Sequence, residues 1–158
     1  MQKYVMLDVD IHIERVRDFA MMHTCMMEGS VHGIDHWDRV ADNADLLKTD
    51  DVDMLVVKTF AYIHDVERFD EGEDLYHGAR AARLVDKIRS TVLNFLNDEQ
   101  INKLKEACKL HTTTWKTEDA TVNACFDADR LDFGRVGIIP SPDKMATIEG
   151  RKIAMRIA

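Results

Sequence analysis

The chain has 158 residues, with 29 acidic against 21 basic side chains and a formal net charge of −8. This length fits one domain with a single core and at most one active site. The acidic balance and the lack of a basic block argue against a dedicated nucleic-acid binder, so small molecules or proteins are the expected partners.

The cysteines and the N-terminal segment bear on the compartment. Cys25, Cys108 and Cys125 are scattered without CxxC spacing, which is typical of small core residues in a reducing compartment. The first residues lack the apolar region of a signal peptide, and no window approaches the length of about 18 apolar residues that a membrane span needs. We therefore expect a cytoplasmic protein with no membrane partner, which could form a homodimer.

Few residues interrupt the periodic apolar runs, since the chain contains only two prolines and seven glycines. This sparseness predicts an all-α fold, a single-domain helical bundle of about six to seven helices over residues 1–158. Apolar positions at helical spacing predict a packing helix over residues 9–28 that ends at Gly29. A second helix is expected over residues 31–47, with His36 on its inner stripe.

The most apolar stretch, residues 54–68, predicts a helix buried on most sides, with start signals in residues 49–53. It ends on His64 and Asp65. Burying an unpaired carboxylate costs several kcal/mol, so this pair requires a hydrogen-bonding partner, a cation or a metal ion.

Three further helices are expected over residues 77–89, 97–111 and 118–133, followed by a short helix in the tail, residues 138–158. His77 stands at the start of the first, and His111 closes the second, which opens at Asn97 with capping character. Asp127 and Asp129 lie on the third.

Neighbouring residues point about 100° apart around a helix, so His64 and Asp65 can share one ion only if it lies beside the helix. The remaining ligands must then come from other helices, and His36 and an aspartate of residues 118–133 meet this requirement. Such a mixed nitrogen and oxygen donor set suits Mn²⁺, Fe²⁺, Ni²⁺, Zn²⁺ or Co²⁺.

Three motifs occur in order, each on a predicted helix: His36-Trp-Asp-Arg-Val40, His64-Asp65 and Asp127-Ala-Asp-Arg-Leu131. Over residues 31–137 this pattern resembles the H…HD…D signature of the HD-domain metal-dependent phosphohydrolase superfamily. The resemblance implies that one metal ion is held by His36, His64, Asp65 and Asp129, with Asp127 as an outer-sphere group or alternate ligand. His77 and His111 resemble the histidines that in this superfamily either bind a second metal ion, bridged by Asp65, or contact substrate phosphate.

The resemblance also implies hydrolysis of a phosphoester or phosphoanhydride, in a nucleotide or another small phosphorylated metabolite, by water activated on Mn, Fe, Ni, Zn, Co or Mg. Arg68 and Arg130 are candidate phosphate contacts, because a guanidinium matches phosphate oxygens. Asp127 or Glu67 could orient a ligand histidine or accept the proton of water.

Some of these side chains have other interpretations. Glu67, Arg68, Asp132 and Arg135 could form ion pairs around helix ends, and His32 could cap a helix or line the rim of a pocket. Trp37 and Tyr76 are candidate base-stacking residues.

Two other functional classes remain open. Superfamily members with six similar ligands include di-iron oxygenases that activate O₂ instead of water. A nucleotide-sensing module that binds without turnover would carry the same side chains. Aerobic against anaerobic assay identifies the first, and tight nucleotide binding without phosphate release identifies the second.

Overall fold

A computed structural model describes residues 7–157, which form seven α-helices and two short 3₁₀ helices. The α-helices are α1 Asp8–His23, α2 Ile34–Leu46, α3 Met54–Ile63, α4 His77–Ile88, α5 Asp98–Leu110, α6 Ala120–Arg130 and α7 Ile148–Ile157. The 3₁₀ helices Phe133–Val136 and Pro142–Lys144 lie between α6 and α7. The predicted all-α, single-domain helical bundle is confirmed. Residues 1–6 and 158 of the predicted domain lie outside the described residues.

Helix α3 is the centre of the bundle and packs against α1, α2, α5 and α6. Its last five residues before His64 are all buried, which explains the apolar sequence of this stretch. The helix begins where Asp53 accepts hydrogen bonds from the backbone N–H groups of Leu55 and Val56. Because most of its surface faces other helices, α3 fixes the position of whatever its C-terminal end carries.

Helix α5 starts with the capping box that the sequence predicts. The Asn97 side chain accepts from the Gln100 N–H, and the Gln100 side chain accepts from the Asn97 N–H, each at 2.9 Å. Gln100 also donates to the Asp53 carboxylate at 2.9 Å, which joins the starts of α5 and α3. These two helices therefore point in the same direction.

The predicted packing helix over residues 9–28 is too long, because α1 ends at His23. Thr24 leaves the helical conformation, and its hydroxyl accepts from the Met26 N–H at 3.1 Å. A threonine that bonds to nearby backbone offers the chain an alternative to the helix. Gly29, expected as the cap, lies in the following loop with a φ of 82°.

Helices α2, α3 and α6 are also shorter than predicted at the ends that face the candidate site, and α6 stops at Arg130. Helix α2 begins at Ile34, three residues after the predicted start, so His32 precedes the helix. Helix α3 stops at Ile63, and residues 64–67 continue as tight turns with Val66 N–H bonded to the Ile63 carbonyl at 3.2 Å. His64 therefore caps the helix and Asp65 lies just beyond it.

Cys108 and Cys125 are buried core residues, as the sequence predicts, whereas Cys25 is exposed. The prediction for Cys25 is wrong because α1 ends early and leaves this residue in a surface loop, where its thiol donates to the Arg68 carbonyl at 3.1 Å. Along residues 7–157, no helix has the combination of length and apolar character that crossing a membrane requires.

Candidate metal centre

Six side chains that the sequence singles out converge at one end of the bundle. They are His36, His64, Asp65, His77, His111 and Asp129. Helices α2 and α4 begin at this end, and α3, α5 and α6 finish there. The link between α5 and α6 runs back to the far end, where the Thr121 hydroxyl accepts from the Asp53 N–H at 2.9 Å. Distant parts of the sequence thus meet because these helix ends share one place.

The first cluster brings four donor atoms together. His36 Nε2 lies 3.2 Å from His64 Nε2 and 3.2 Å from Asp129 Oδ1. Asp65 Oδ2 lies 3.4 Å from His64 Nε2 and 3.6 Å from His36 Nε2. Ligand atoms about 2.1 Å from one ion are about 3.0 Å apart in an octahedron and about 3.4 Å apart in a tetrahedron. The spacing of this cluster therefore fits a single divalent ion.

The second cluster uses the other oxygen of Asp65. His77 Nε2 lies 3.0 Å from His111 Nε2 and 3.1 Å from Asp65 Oδ1. His111 Nε2 lies 3.7 Å from the same oxygen. The two oxygens of one carboxylate thus face two separate pairs of imidazole nitrogens.

The outer nitrogen of each of these four histidines is held by an oxygen. The Nδ1 contacts are His36 to Asp132 Oδ2 at 2.6 Å, His64 to the Phe60 and Ala61 carbonyls at 3.0 Å, His77 to the Asp74 carbonyl at 2.5 Å and His111 to the Cys108 carbonyl at 2.7 Å. A carbonyl oxygen only accepts, so Nδ1 carries the proton and Nε2 presents a lone pair. This arrangement is typical of histidines that bind metal through Nε2.

The nitrogen and oxygen atoms of the two clusters require a positive charge close to them. With Nδ1 protonated, the paired Nε2 atoms of neutral imidazoles would face each other as lone pairs, and both carboxylates lie against them. Asp129 Oδ1 is buried and accepts no hydrogen bond from any residue between 7 and 157. A metal ion or added protons must balance these groups, and the buried histidine and aspartate groups could hold a metal ion.

The pKa shifts of the aspartates and of His36 in the protein without metal indicate the same requirement for positive charge. Burial would raise the pKa of Asp65 and of Asp129, but the neighbouring imidazoles outweigh it and hold both pKa values well below the usual range. Burial also lowers the pKa of His36, and its contacts with Asp129 and Asp132 raise the pKa above the ordinary value. In the protein without metal, the raised pKa of His36 favours a proton on this imidazole, which supplies positive charge where a divalent ion would otherwise supply it.

A cavity of about 570 Å³ opens over the clusters, within the size range of small-molecule sites. Its floor includes Asp65, Asp129, His77 and His111, so both clusters are reached from it. The walls carry four cationic side chains: Arg68, Arg130, Arg135 and Lys144. This lining suits an anionic ligand despite the acidic chain.

The structure separates two predicted catalytic groups from the clusters. Both oxygens of Asp127 accept from the segment before α7, with the N–H groups of Ala146 and Thr147 each at 2.8 Å. A Cβ at Gly150 would lie 2.3 Å from Asp127 Oδ2, which shows how closely α7 packs there. Asp127 therefore anchors α7, and its carboxylate is directed away from the cluster that contains Asp129 and His36.

Glu67 also points elsewhere. Its carboxylate pairs with His23 Nε2 at 2.6 Å on the outside of the bundle, because the chain turns after Asp65 and directs this side chain towards α1. Glu67 thus forms an ion pair near a helix end, which was the alternative interpretation of this residue. A role as the acceptor of a proton from water is not compatible with this position.

The two predicted phosphate contacts differ in what their guanidinium groups already bind. Arg68 lies 3.5 Å from Asp65 Oδ1, and its buried Nε has no hydrogen-bond partner among the described residues. Arg130 instead donates to the carbonyls of Thr114, Trp115 and Lys144 at 2.8 to 3.1 Å. Arg68 Nη1 also donates to the Gly72 carbonyl at 2.9 Å, so backbone oxygens hold part of this guanidinium too. Arg130 mainly holds the cavity wall.

The proposed stacking residues were placed wrongly, since Trp37 is completely buried and Tyr76 is exposed outside the cavity lining. The indole that does line the cavity belongs to Trp115. Sequence reasoning missed it because it follows a run of threonines in a loop, where no periodicity marks its direction. His32 lies at the rim, as expected, with Nδ1 3.3 Å from Asp65 Oδ2.

Asp132 and Arg135 combine the ion pairs expected of them with positions beside the site. Asp132 binds Arg39 Nε at 2.7 Å through one oxygen and His36 through the other. Arg135 lies with Nη2 3.8 Å from Asp129 Oδ1. The sequence analysis expected an ion pair of Asp132 but not its contact with His36. Its position close to Asp129 in the sequence was the signal for that contact, because the turn after α6 brings Asp132 back to the same histidine.

No family model, curated protein or solved structure matches this chain. Membership of the HD-domain superfamily therefore stays a prediction from the motifs.

Proposed function

We propose that this protein is a metal-dependent phosphohydrolase of the HD type that cleaves a phosphoester or phosphoanhydride in a nucleotide or another small phosphorylated metabolite. The observation that supports it most directly is the position of Asp65, whose two oxygens face the His36/His64 and the His77/His111 pairs at 3.1 to 3.7 Å. One bridging carboxylate between two nitrogen-rich clusters is the donor arrangement of a two-metal hydrolytic site.

The first ion would be held by His36, His64 and Asp65, with Asp129 Oδ1 at 3.2 Å from His36 Nε2 and 3.6 Å from His64 Nε2 as the fourth ligand. The second would be held by Asp65, His77 and His111. Four imidazoles favour Mn²⁺, Fe²⁺, Co²⁺, Ni²⁺ or Zn²⁺ over Mg²⁺, which prefers oxygen ligands. When bound, such ions lower the pKa of water and neutralise phosphoryl oxygens.

The side chains around the ions would bind and orient the substrate. Arg68 lines the cavity with Nε 3.5 Å from Asp65 Oδ1, and it is the contact that we assign to a phosphoryl oxygen. Arg135 stands beside Asp129 on the other side. Together they offset the negative charge of two aspartates, so that an anion can approach.

We assign proton transfer to His32 in place of Asp127 and Glu67. Its imidazole lines the cavity and lies 3.3 Å from Asp65 Oδ2, so it stands next to where water would be activated. Histidine is the side chain that most often accepts or donates a proton near neutral pH.

The test compares Asp65→Ala with Glu67→Gln, two acidic residues on the same turn of which only one faces the cavity. We expect Asp65→Ala to lose bound metal and to lower phosphate release from a panel of phosphoesters and nucleotides by more than about a hundredfold, with helicity retained. Glu67→Gln should keep both. Metal loading in Asp65→Ala equal to that of the wild-type protein would refute the assignment.

The same donor set also suits iron, so a di-iron oxygenase is the second candidate. The cationic cavity wall favours the hydrolase, since O₂ needs no such lining. Iron content together with a requirement for O₂ would select the oxygenase. Tight nucleotide binding with no phosphate release under any divalent metal would instead indicate a non-catalytic nucleotide-binding module.

A further inference from the structure

We propose that the outer part of the cavity, formed by Trp115 and Lys144, is a subsite for an aromatic ring attached to the phosphate that binds at the metal centre. This inference rests on the proposed function and specifies its substrate class as phosphoesters that also carry an aromatic ring, such as nucleotides. It assigns the choice of substrate to a tryptophan outside the ligand motifs.

Trp115 exposes a large apolar indole surface to water, which is unfavourable in free energy. The residue is 56% exposed, whereas the other tryptophan, Trp37, is completely buried. Large aromatic side chains gain free energy when their faces are covered. The exposed indole belongs to the same cavity as Asp65 and Asp129, so a ligand that reaches the metal centre can also cover it.

The backbone beneath the indole is held in place. Arg130, which is 9% exposed, donates through Nη1 to the Trp115 carbonyl at 2.9 Å and to the Lys144 carbonyl at 3.1 Å. Its Nη2 donates to the Thr114 carbonyl at 2.8 Å. One buried guanidinium therefore fixes two wall segments that are far apart in the sequence, and it sets Trp115 beside Lys144.

A fixed aromatic face next to a cation recognises a particular kind of group. The indole accepts a planar ring by stacking, and stacking tolerates every base because each has a π face. Lys144 lines the same wall, and its ammonium group can donate hydrogen bonds to acceptor atoms at the edge of such a ring. An aliphatic phosphoester would use the metal centre but leave the indole uncovered.

The experiment measures binding instead of turnover. Isothermal titration calorimetry on the Mn²⁺-loaded protein would use the phosphonate analogues of adenosine 5′-monophosphate and ribose 5-phosphate, whose C–P bonds are not hydrolysed. We expect the adenosine analogue to bind about tenfold more tightly or better, in the range of base stacking on aromatic side chains. Trp115→Leu should reduce that ratio to less than about threefold while the affinity for the ribose analogue stays within about twofold.

Trp115→Phe, which keeps an aromatic face, should retain part of the preference, and this variant also shows that the leucine result is not a folding defect. Phe69→Leu is the matched control, because Phe69 is 66% exposed but lies outside the cavity lining. It should leave the ratio unchanged.

Equal affinities of the wild-type protein for the two analogues, no binding of either analogue, or an unchanged ratio in Trp115→Leu would overturn the subsite. The outcome is separate from that of the proposed function. A preference for the adenosine analogue without hydrolysis of any phosphoester would count against the hydrolase alone, and hydrolysis with equal affinities would count against the subsite alone.

Discussion

The two histidine pairs contact the same aspartate but differ in their surroundings. His36 and His64 are completely buried, and two carboxylates, Asp65 and Asp129, lie against them. His77 and His111 are also buried, but they line the cavity and share only one carboxylate oxygen.

The Nδ1 contacts of the two pairs also place more negative charge beside the first pair. In the first pair His36 is oriented by the carboxylate of Asp132, whereas His64 and both members of the second pair are oriented by backbone carbonyls. More negative charge and less exposure to solvent favour retention of a cation. If the proposed metal ions bind, we expect the first pair to hold its ion more tightly, and the second pair to exchange its ion more readily and to face the substrate.

The largest expected effect tests which aspartate of α6 belongs to the first pair. Asp129→Ala should remove the tightly held ion and lower activity by more than about a hundredfold, because it deletes a ligand. Asp127→Ala should keep that ion but lower the free energy of unfolding by about 2–4 kcal/mol, because the donors of the segment before α7 lose their acceptor.

Metal analysis after dialysis measures the loss of the ion, and chemical denaturation of the same samples measures the free energy of unfolding. Each variant is the control for the other, since the two residues are two positions apart on one helix. Loss of metal from Asp127→Ala with unchanged stability would reverse the assignment.

A substitution between α4 and α5 should weaken metal binding by the second pair alone, with a smaller effect. A Cβ added at Gly78 would lie 2.3 Å from the Cys108 carbonyl oxygen, which orients His111, so Gly78→Ala must move α4 away from α5. Overpacking of this kind costs about 1–3 kcal/mol. We expect the second ion to bind more weakly and the first to be retained.

Titration of the metal-free protein with Mn²⁺ separates the two binding steps. Gly134→Ala is the control, because a Cβ there has nothing within 4 Å. Equal weakening of both steps in Gly78→Ala would mean that the pairs are not independent and would remove the basis of the comparison.

The fold was predictable where local chemistry decides it. The capping residues of α5 and the apolar run of α3 each have one structural solution, and both were predicted. The end of α1 was not, because Met26 and Met27 continue an apolar pattern after Thr24 has already turned the chain. Periodicity records which residues are apolar, and it does not record where the hydrogen bonds of the helix stop.

The candidate site divides in the same way. The motifs predicted the six converging side chains, with Asp129 preferred to Asp127 as the ligand, and the structure places Asp129 beside His36. Periodicity alone does not decide between the two aspartates, because residues two positions apart point to different sides of a helix. The packing of the segment before α7 against Asp127 explains which side faces the clusters. Trp115 and Lys144 were beyond prediction because the contacts that set them side by side come from Arg130, on a different element.

The smallest expected effect distinguishes a first pair balanced by protons from one balanced by a metal ion. In the metal-free protein the pKa of His36 is raised above its ordinary value of 6.5, because its contacts with Asp129 and Asp132 outweigh burial. The folded state then holds a proton that the unfolded state has released, so stability should fall as pH rises from 6.5 through the raised pKa, by at most about 1.4 kcal/mol per pH unit.

The metal-loaded protein should behave in the opposite way over the same range. Metal binding needs a neutral His36, so it strengthens as pH rises and stabilises the folded state further. Thermal unfolding in chelator and in Mn²⁺ would show melting temperatures that diverge above pH 6.5, and His36→Gln should remove the divergence. Parallel curves would mean that His36 is a core histidine that no cation contacts, and the distinction between the two pairs would then have to rest on other residues.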